Sequence, residues 1–99
     1  MKEFTYTIVD KDGMHARPAG RLVACAKQFT SNIRVQANGK TADGKRLISL
    51  MMLGAVCGTT LTFLVMGEDE EKAAFALEQF CRTQWNSGGV VRGDEATEN

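Results

Sequence analysis

The chain has 99 residues, 43% hydrophobic and 24% charged, which is the size and balance of a single globular domain rather than a disordered or coiled-coil protein. Twelve basic and twelve acidic side chains cancel to zero formal charge, which argues against a nucleic-acid binder, and no apolar run approaches the roughly 20 residues that span a bilayer. Cys25, Cys57 and Cys81 stand far apart with no C-x-x-C spacing, and no signal-peptide core follows Met1; they read as reduced, mostly buried thiols of a cytoplasmic protein.

Phe4 to Val9 alternates and is rich in β-formers, so it predicts a first strand. Asp10-Lys11-Asp12-Gly13 is a turn cluster. Ala19, Leu22, Val23 and Ala26 then follow i, i+3, i+4, i+7, the apolar face of a first helix over about 16–28, with Pro18 in its first turn, where a missing N–H costs nothing. Ile33, Val35 and Ala37 alternate with Arg34 and Gln36 in a second strand. Asn38-Gly39 turns it into a short edge strand, Lys40 to Ala42, because both turn positions need positive φ.

Asp43-Gly44 leads into a short second helix, about 46–53, followed by breaks at Gly54 and Gly58 and a fourth strand from Thr60 to Val65. A third helix begins near Asp69. Its acidic first turn suits the helix dipole, and Ala73, Ala74, Leu77, Phe80 and Cys81 form its buried stripe. Asn86 to Gly89 ends it. Residues 1–86 read as one domain and residues 87–99 as a mobile polar tail. The order is βαββαβα, an α+β chain whose three helices must cover one face of a four-stranded sheet.

Residues 1–50 carry nine basic and four acidic side chains, and residues 51–99 carry three and eight, so the halves are +5 and −5. The asymmetry fits either a basic face for an acidic partner or simply the acidic start of the last helix.

The chemistry concentrates in Gly13-Met14-His15-Ala16-Arg17-Pro18-Ala19. The sole histidine lies where a turn becomes a helix. The free N–H groups of Ala16 and Arg17 at that helix start form an anion site, and Arg17 adds a planar, permanently charged phosphate donor. A neutral imidazole is a nucleophile and also a good leaving group from phosphorus, so the constellation suits reversible phosphoryl transfer. No cofactor or metal is implied. Gly39-x-x-x-x-Gly44-Lys45 comes close to a P-loop, but Arg46 lacks the hydroxyl that would hold Mg²⁺. A copper-chaperone module would need a C-x-x-C where His15 stands.

In the second helix, Arg46-Leu-Ile-Ser-Leu-Met-Met-Leu53, six of eight residues are large and apolar. The register turns Leu50 and Leu53 inward. Leu47, Ile48 and Met51 are left partly exposed, as a partner surface of adaptable side chains.

The G-x-H-A-R-P-A run, with Leu22-Val23, Ala26, Phe29, Lys45, Met51, Leu53-Gly54, Gly58 and Gly67-x-Asp69-Glu70, resembles the HPr family over residues 1–85. These are the histidine-containing phosphocarriers of the bacterial phosphoenolpyruvate:sugar phosphotransferase system. The resemblance implies an open-faced β-sandwich with three helices on one side of an antiparallel sheet. It implies that the histidine matching His15 accepts phosphate on Nδ1 from Enzyme I and passes it to the IIA domains of sugar permeases, with Arg17 as the phosphate clamp and the Ala16 amide at the helix start.

It also implies a carrier rather than a turnover enzyme. The implied docking face runs from Gly20, which keeps the first helix flat, across Leu47, Ile48 and Met51, rimmed by Arg21, Lys27, Lys45 and Arg46. The expected carrier is a monomer that binds neither nucleic acid nor membrane. Many family members have a regulatory serine after the residue matching Lys45. Arg46 stands there instead, and Ser49, nearly a turn further on, is not the matching residue, so HPr kinase is not an expected partner.

Overall fold

The structure, a computed structural model, describes residues 1–85. The expected helix end at 86–89 and the expected mobile tail lie outside the described residues.

The elements are β1 (Lys2–Thr7), α1 (Ala16–Ala26), β2 (Asn32–Ala37), β3 (Lys40–Asp43), α2 (Leu47–Met51), β4 (Thr60–Met66) and α3 (Glu70–Gln79), which continues as a π-helical segment, Phe80–Trp85. The four strands form one sheet in the order β1-β4-β2-β3, every pair antiparallel. Strand alternation sends Tyr6, Ile33, Val35, Ala42, Leu61, Phe63 and Val65 to one face, where all are buried. α1, α2 and α3 close that face with Leu22, Leu50, Ala73 and Leu77, giving the α+β open-faced sandwich expected of the sequence. Phe63 of the central strand β4 is fully buried, and Phe4, its partner across the β1–β4 ladder, stacks on it at 4.6 Å and 5°.

Element ends differ from the sequence reading for local reasons. β1 begins two residues early, because Lys2 and Glu3 pair with Val65 and Leu64. It stops at Thr7, opposite Thr60. Ile8 still exchanges backbone bonds with Thr59 and Gly58, while Val9 turns out to solvent. α1 ends at Ala26 rather than 28, since the amides of Gln28 and Phe29 donate to carbonyls three residues back and tighten the last turn. α2 is shorter than expected for the same reason, with Leu53 bonded to Leu50 and Gly54 to Met51.

Asn38 and Gly39 both have positive φ, 54° and 75°, as the hairpin reading requires. The Asn38 side-chain amide also donates to the carbonyls of Leu53 and Gly54, pinning the exit of α2 to the turn.

Asp69 occupies the N-cap position of α3 yet makes no cap bond to its own helix. Its carboxylate instead accepts the amides of Thr30 and Ser31 and the Ser31 hydroxyl. It therefore fastens the α1–β2 loop to the start of α3.

The buried stripe of α3 is Ala73, Leu77, Phe80 and Cys81, with Ala74 only half-buried. Trp85 joins it because the wider π-helical turn brings a five-residue step from Phe80 back to the same face. Of the three cysteines, Cys81 is buried and Cys25 partly so. Cys57 is exposed, contrary to expectation, because it sits in the turn that joins α2 to β4.

Candidate functional site

The site is built where β1 gives way to α1. Asp10 closes a turn: its backbone carbonyl accepts the Gly13 amide at 2.9 Å and its Oδ1 accepts the Asp12 amide at 2.9 Å. Met14 is buried, and its amide donates to the Ala55 carbonyl at 3.0 Å, so the loop is held against the segment that follows α2.

His15 then takes the N-cap position of α1 with extended backbone (φ −93°, ψ −179°) and makes no side-chain cap bond. The first amide to bond back within the helix is that of Ala19, to the His15 carbonyl at 3.1 Å. Pro18 has no N–H, so Ala16 and Arg17 supply the free amides of the helix start. Ala16 and Arg17 are both exposed.

The His15 ring is partly exposed and faces an open cleft of about 450 Å³, lined among others by Asp10, Lys11, Arg17, Arg21 and Trp85. Its Nε2 lies 3.2 Å from Asp10 Oδ2. The Asp10 carboxyl is held below the usual carboxylate range, first by the Asp12 amide and then, against some desolvation, by the His15 ring. The indole of Trp85 adds to this from outside hydrogen-bond geometry, and its Nε1 is buried with no hydrogen-bond partner among the described residues.

Among the described residues, Asp10, Asp12 and His15 form a trio able to hold a cation, their ligand atoms within 4.8 Å of one another. Its geometry is already accounted for by internal hydrogen bonds of Asp10 to the Asp12 amide and to His15.

Arg21 and Lys27 are exposed along α1, and Gly20 faces open space. Lys45 is only half-exposed. Its ammonium donates to the Phe29 carbonyl at 2.7 Å, so it also serves as a tether between the end of α1 and the loop before α2. Arg46 is exposed, 3.6 Å from Asp43 across a surface pair. Ser49 is half-buried.

Leu50 and Leu53 point inward as expected, whereas Leu47, Ile48 and Met51 are exposed, Ile48 by 67%. Sequence reading missed Met52, 69% exposed, and Val56, 61% exposed, because they fall in the break after α2. Val56 matters because its backbone lies against Gly13, where it joins the apolar patch to the histidine loop. Asp10 was also missed as a site residue. Its signal was a carboxylate five positions before the only histidine, read as turn chemistry alone.

Residues 2–83 match the family model described as PTS HPr component phosphorylation site. The chain is similar to a phosphocarrier protein HPr of Lysinibacillus sphaericus, 43% identical over 77 residues, which are 78% of this chain and 88% of that protein. It is likewise similar to the phosphocarrier protein HPr of Cupriavidus necator, 35% identical over 82 residues, 83% of this chain and 92% of that one. A crystal structure of an HPr from Thermoanaerobacter tengcongensis superposes with a TM-score of 0.83 at 35% identity, covering 92% of this chain and 100% of the other. With a matching sandwich and a matched span that takes in the histidine loop, the chain belongs to the HPr family of the phosphotransferase system and is a phosphoryl carrier rather than a turnover enzyme.

Proposed function

We propose that His15 is the phosphoryl acceptor, its Nδ1 taking the group from phosphorylated Enzyme I and yielding it to the IIA domain of a sugar permease. The observation that carries this reading is a partly exposed imidazole at the N-terminus of α1, over an open cleft lined by Arg17 and Arg21. The free amides of Ala16 and Arg17 and the Arg17 guanidinium suit the phosphate once it arrives. The acceptor, the helix-start amides and both arginines lie within residues 15–21, so the site needs no residue of a second copy, and the carrier works as a monomer in the cytoplasm. No helix of the described residues is long and apolar enough to cross a membrane.

The docking face is Leu47, Ile48 and Met51 with Gly20, and Met52 and Val56 extend it. Arg21, Lys27, Lys45 and Arg46 supply positive charge to steer an acidic partner. At position 46 a phosphoserine would place about −2 charge beside this face, whereas Arg46 places +1 there. The protein therefore escapes serine-directed control by HPr kinase. Treatment with that kinase and ATP should leave it unmodified, and Arg46→Ser should confer modification. Phosphate on Ser49 that slows acceptance at His15 contradicts this.

The direct test of the carrier reading is incubation with phosphoenolpyruvate, Mg²⁺ and Enzyme I, followed by intact mass. One added, acid-labile phosphate is expected, and no mass gain contradicts it.

A further inference from the structure

We propose that Asp10 is a positioning residue that holds the neutral His15 ring as its Nε2–H tautomer and so directs phosphoryl transfer to Nδ1. The inference rests on the proposed role of His15 and adds to it a reason for the choice of nitrogen. The two nitrogens of a neutral imidazole are not equivalent: one carries the proton, the other the lone pair, and the partner of the first decides which is which.

Here the partner is a carboxylate, which can only accept. Asp10 Oδ2 lies 3.2 Å from Nε2, so Nε2 donates and the lone pair is left on Nδ1. Among the described residues no hydrogen bond engages Nδ1, and the N-cap position leaves it without a cap bond.

Asp10 is itself fixed before any phosphate arrives. Its Oδ1 takes the Asp12 amide, its carbonyl takes the Gly13 amide, and its side chain is only 15% exposed. The two oxygens thus have separate tasks, one closing the turn and one holding the ring. The Trp85 indole lines the same cleft, and its buried, unpartnered N–H favours a negative charge at Asp10.

The transfer step balances on these atoms. The Nδ1 lone pair forms the new bond to phosphorus while the bond from phosphorus to the donor's leaving atom breaks, its electron pair staying with the donor. The proton on Nε2 does not move. The ring becomes a phosphorylated imidazolium whose positive N–H faces the Asp10 carboxylate, which offsets the charge as it develops. When the group passes to the acceptor the same proton stays in place, so one arrangement serves both directions.

Two variants separate this role from the turn. Asp10→Asn keeps one acceptor oxygen, for the Asp12 amide, and turns an NH2 donor toward Nε2. Asp10→Ser keeps an acceptor for the amide two residues on but is too short to reach the ring. The full chain with ¹⁵N-labelled histidine is studied in alkaline buffer, about two units above the ordinary imidazole range. The wild-type protein should give a directly observed Nε2–H resonance, slowed in exchange by its bond. Asp10→Ser should lose it to solvent exchange and accept phosphate from Enzyme I about tenfold more slowly, the order expected for one lost charge-assisted bond. Asp10→Asn should lose the resonance as well, because a donor facing Nε2 favours the proton on Nδ1, and should be slowed at least as much.

A wild-type resonance on Nδ1–H, or an Asp10→Ser protein with the wild-type signal and rate, overturns the proposal. So does an Asp10→Asn protein that keeps the wild-type Nε2–H signal. Failure of the carrier reading is told apart from these, because the resonance is read on unphosphorylated protein.

Discussion

The Met14 amide donates to the Ala55 carbonyl at 3.0 Å, so the residue before His15 is fastened to the residue before Val56. The histidine loop and the apolar patch of α2 are therefore parts of one surface rather than neighbours by chance. A partner that docks on Ile48, Met51, Met52 and Val56 meets His15 in a fixed relation to that contact.

This attachment depends on Gly13. Its φ is +67°, and a Cβ there would stand 2.7 Å from the Ala55 carbonyl oxygen and 2.8 Å from the Val56 Cα, both backbone atoms with no freedom to yield. Gly13→Ala should cost about 1–3 kcal/mol, lowering the melting temperature by several degrees, and should slow phosphate acceptance by displacing the loop. Unchanged melting would show that the loop can lift off residues 55–56 freely.

Arg17→Ala should slow transfer both to and from the protein with little effect on melting, because the side chain is exposed. Losing one charge-assisted interaction with phosphate is worth about 1.5–3 kcal/mol, or roughly ten- to hundredfold in rate. Wild-type kinetics in stopped-flow transfer from Enzyme I would remove Arg17 from the site.

Ile48→Glu and Met51→Glu place a charge in the middle of the apolar patch. Both side chains are exposed, so the fold should persist. Binding to Enzyme I and to a IIA domain, measured by calorimetry, should weaken by about 1–3 kcal/mol in each case. Binding of both partners at wild-type strength would place the docking face elsewhere.

Asp69 makes stability pH-dependent in a defined window. Hydrogen bonds from the Ser31 hydroxyl, then the Thr30 and Ser31 amides, hold its carboxyl at about 2, against an ordinary 3.8. A depressed folded value means that the contribution is complete above the unfolded value and is lost as pH falls from about 4 toward 2. Melting temperature should fall across that window, and Asp69→Asn should flatten the fall while lowering stability at neutral pH. An Asp69→Asn curve parallel to wild type would contradict the clamp.

Thiol labelling reads the packing of the last helix. Burial pushes the Cys81 thiol up to about 12 and raises that of Cys25, whereas Cys57 is exposed. One thiol should react quickly in the native protein, Cys81 only on unfolding. Fast modification of Cys81 would mean that the Phe80–Trp85 segment opens readily.

The sheet and helices were legible because their patterns are local. Ile33, Val35 and Ala37 alternate, Ala19, Leu22, Val23 and Ala26 repeat at helical spacing, and Asn38-Gly39 admits one turn type. Ile48 and Met51 were legible as surface residues from surplus alone, since so short a helix cannot bury six large apolar side chains. Met52 and Val56 escaped because, beyond α2, no period assigns a face. Asp69 read as a dipole residue of its own helix because its partners, Thr30 and Ser31, are nearly forty residues away in sequence. Asp10 escaped for a different reason. Turn formation explained it fully, and only the folded chain brings its second oxygen back to His15.

The central claim is that one imidazole carries the phosphate, and His15→Ala tests it most directly. The side chain is partly exposed at a helix start and makes no cap bond, so the variant should melt within a few degrees of wild type. Incubated with phosphoenolpyruvate, Mg²⁺ and Enzyme I, the wild-type chain should gain one acid-labile phosphate by intact mass and the folded His15→Ala variant none. A folded variant that still takes up a single phosphate would contradict the account.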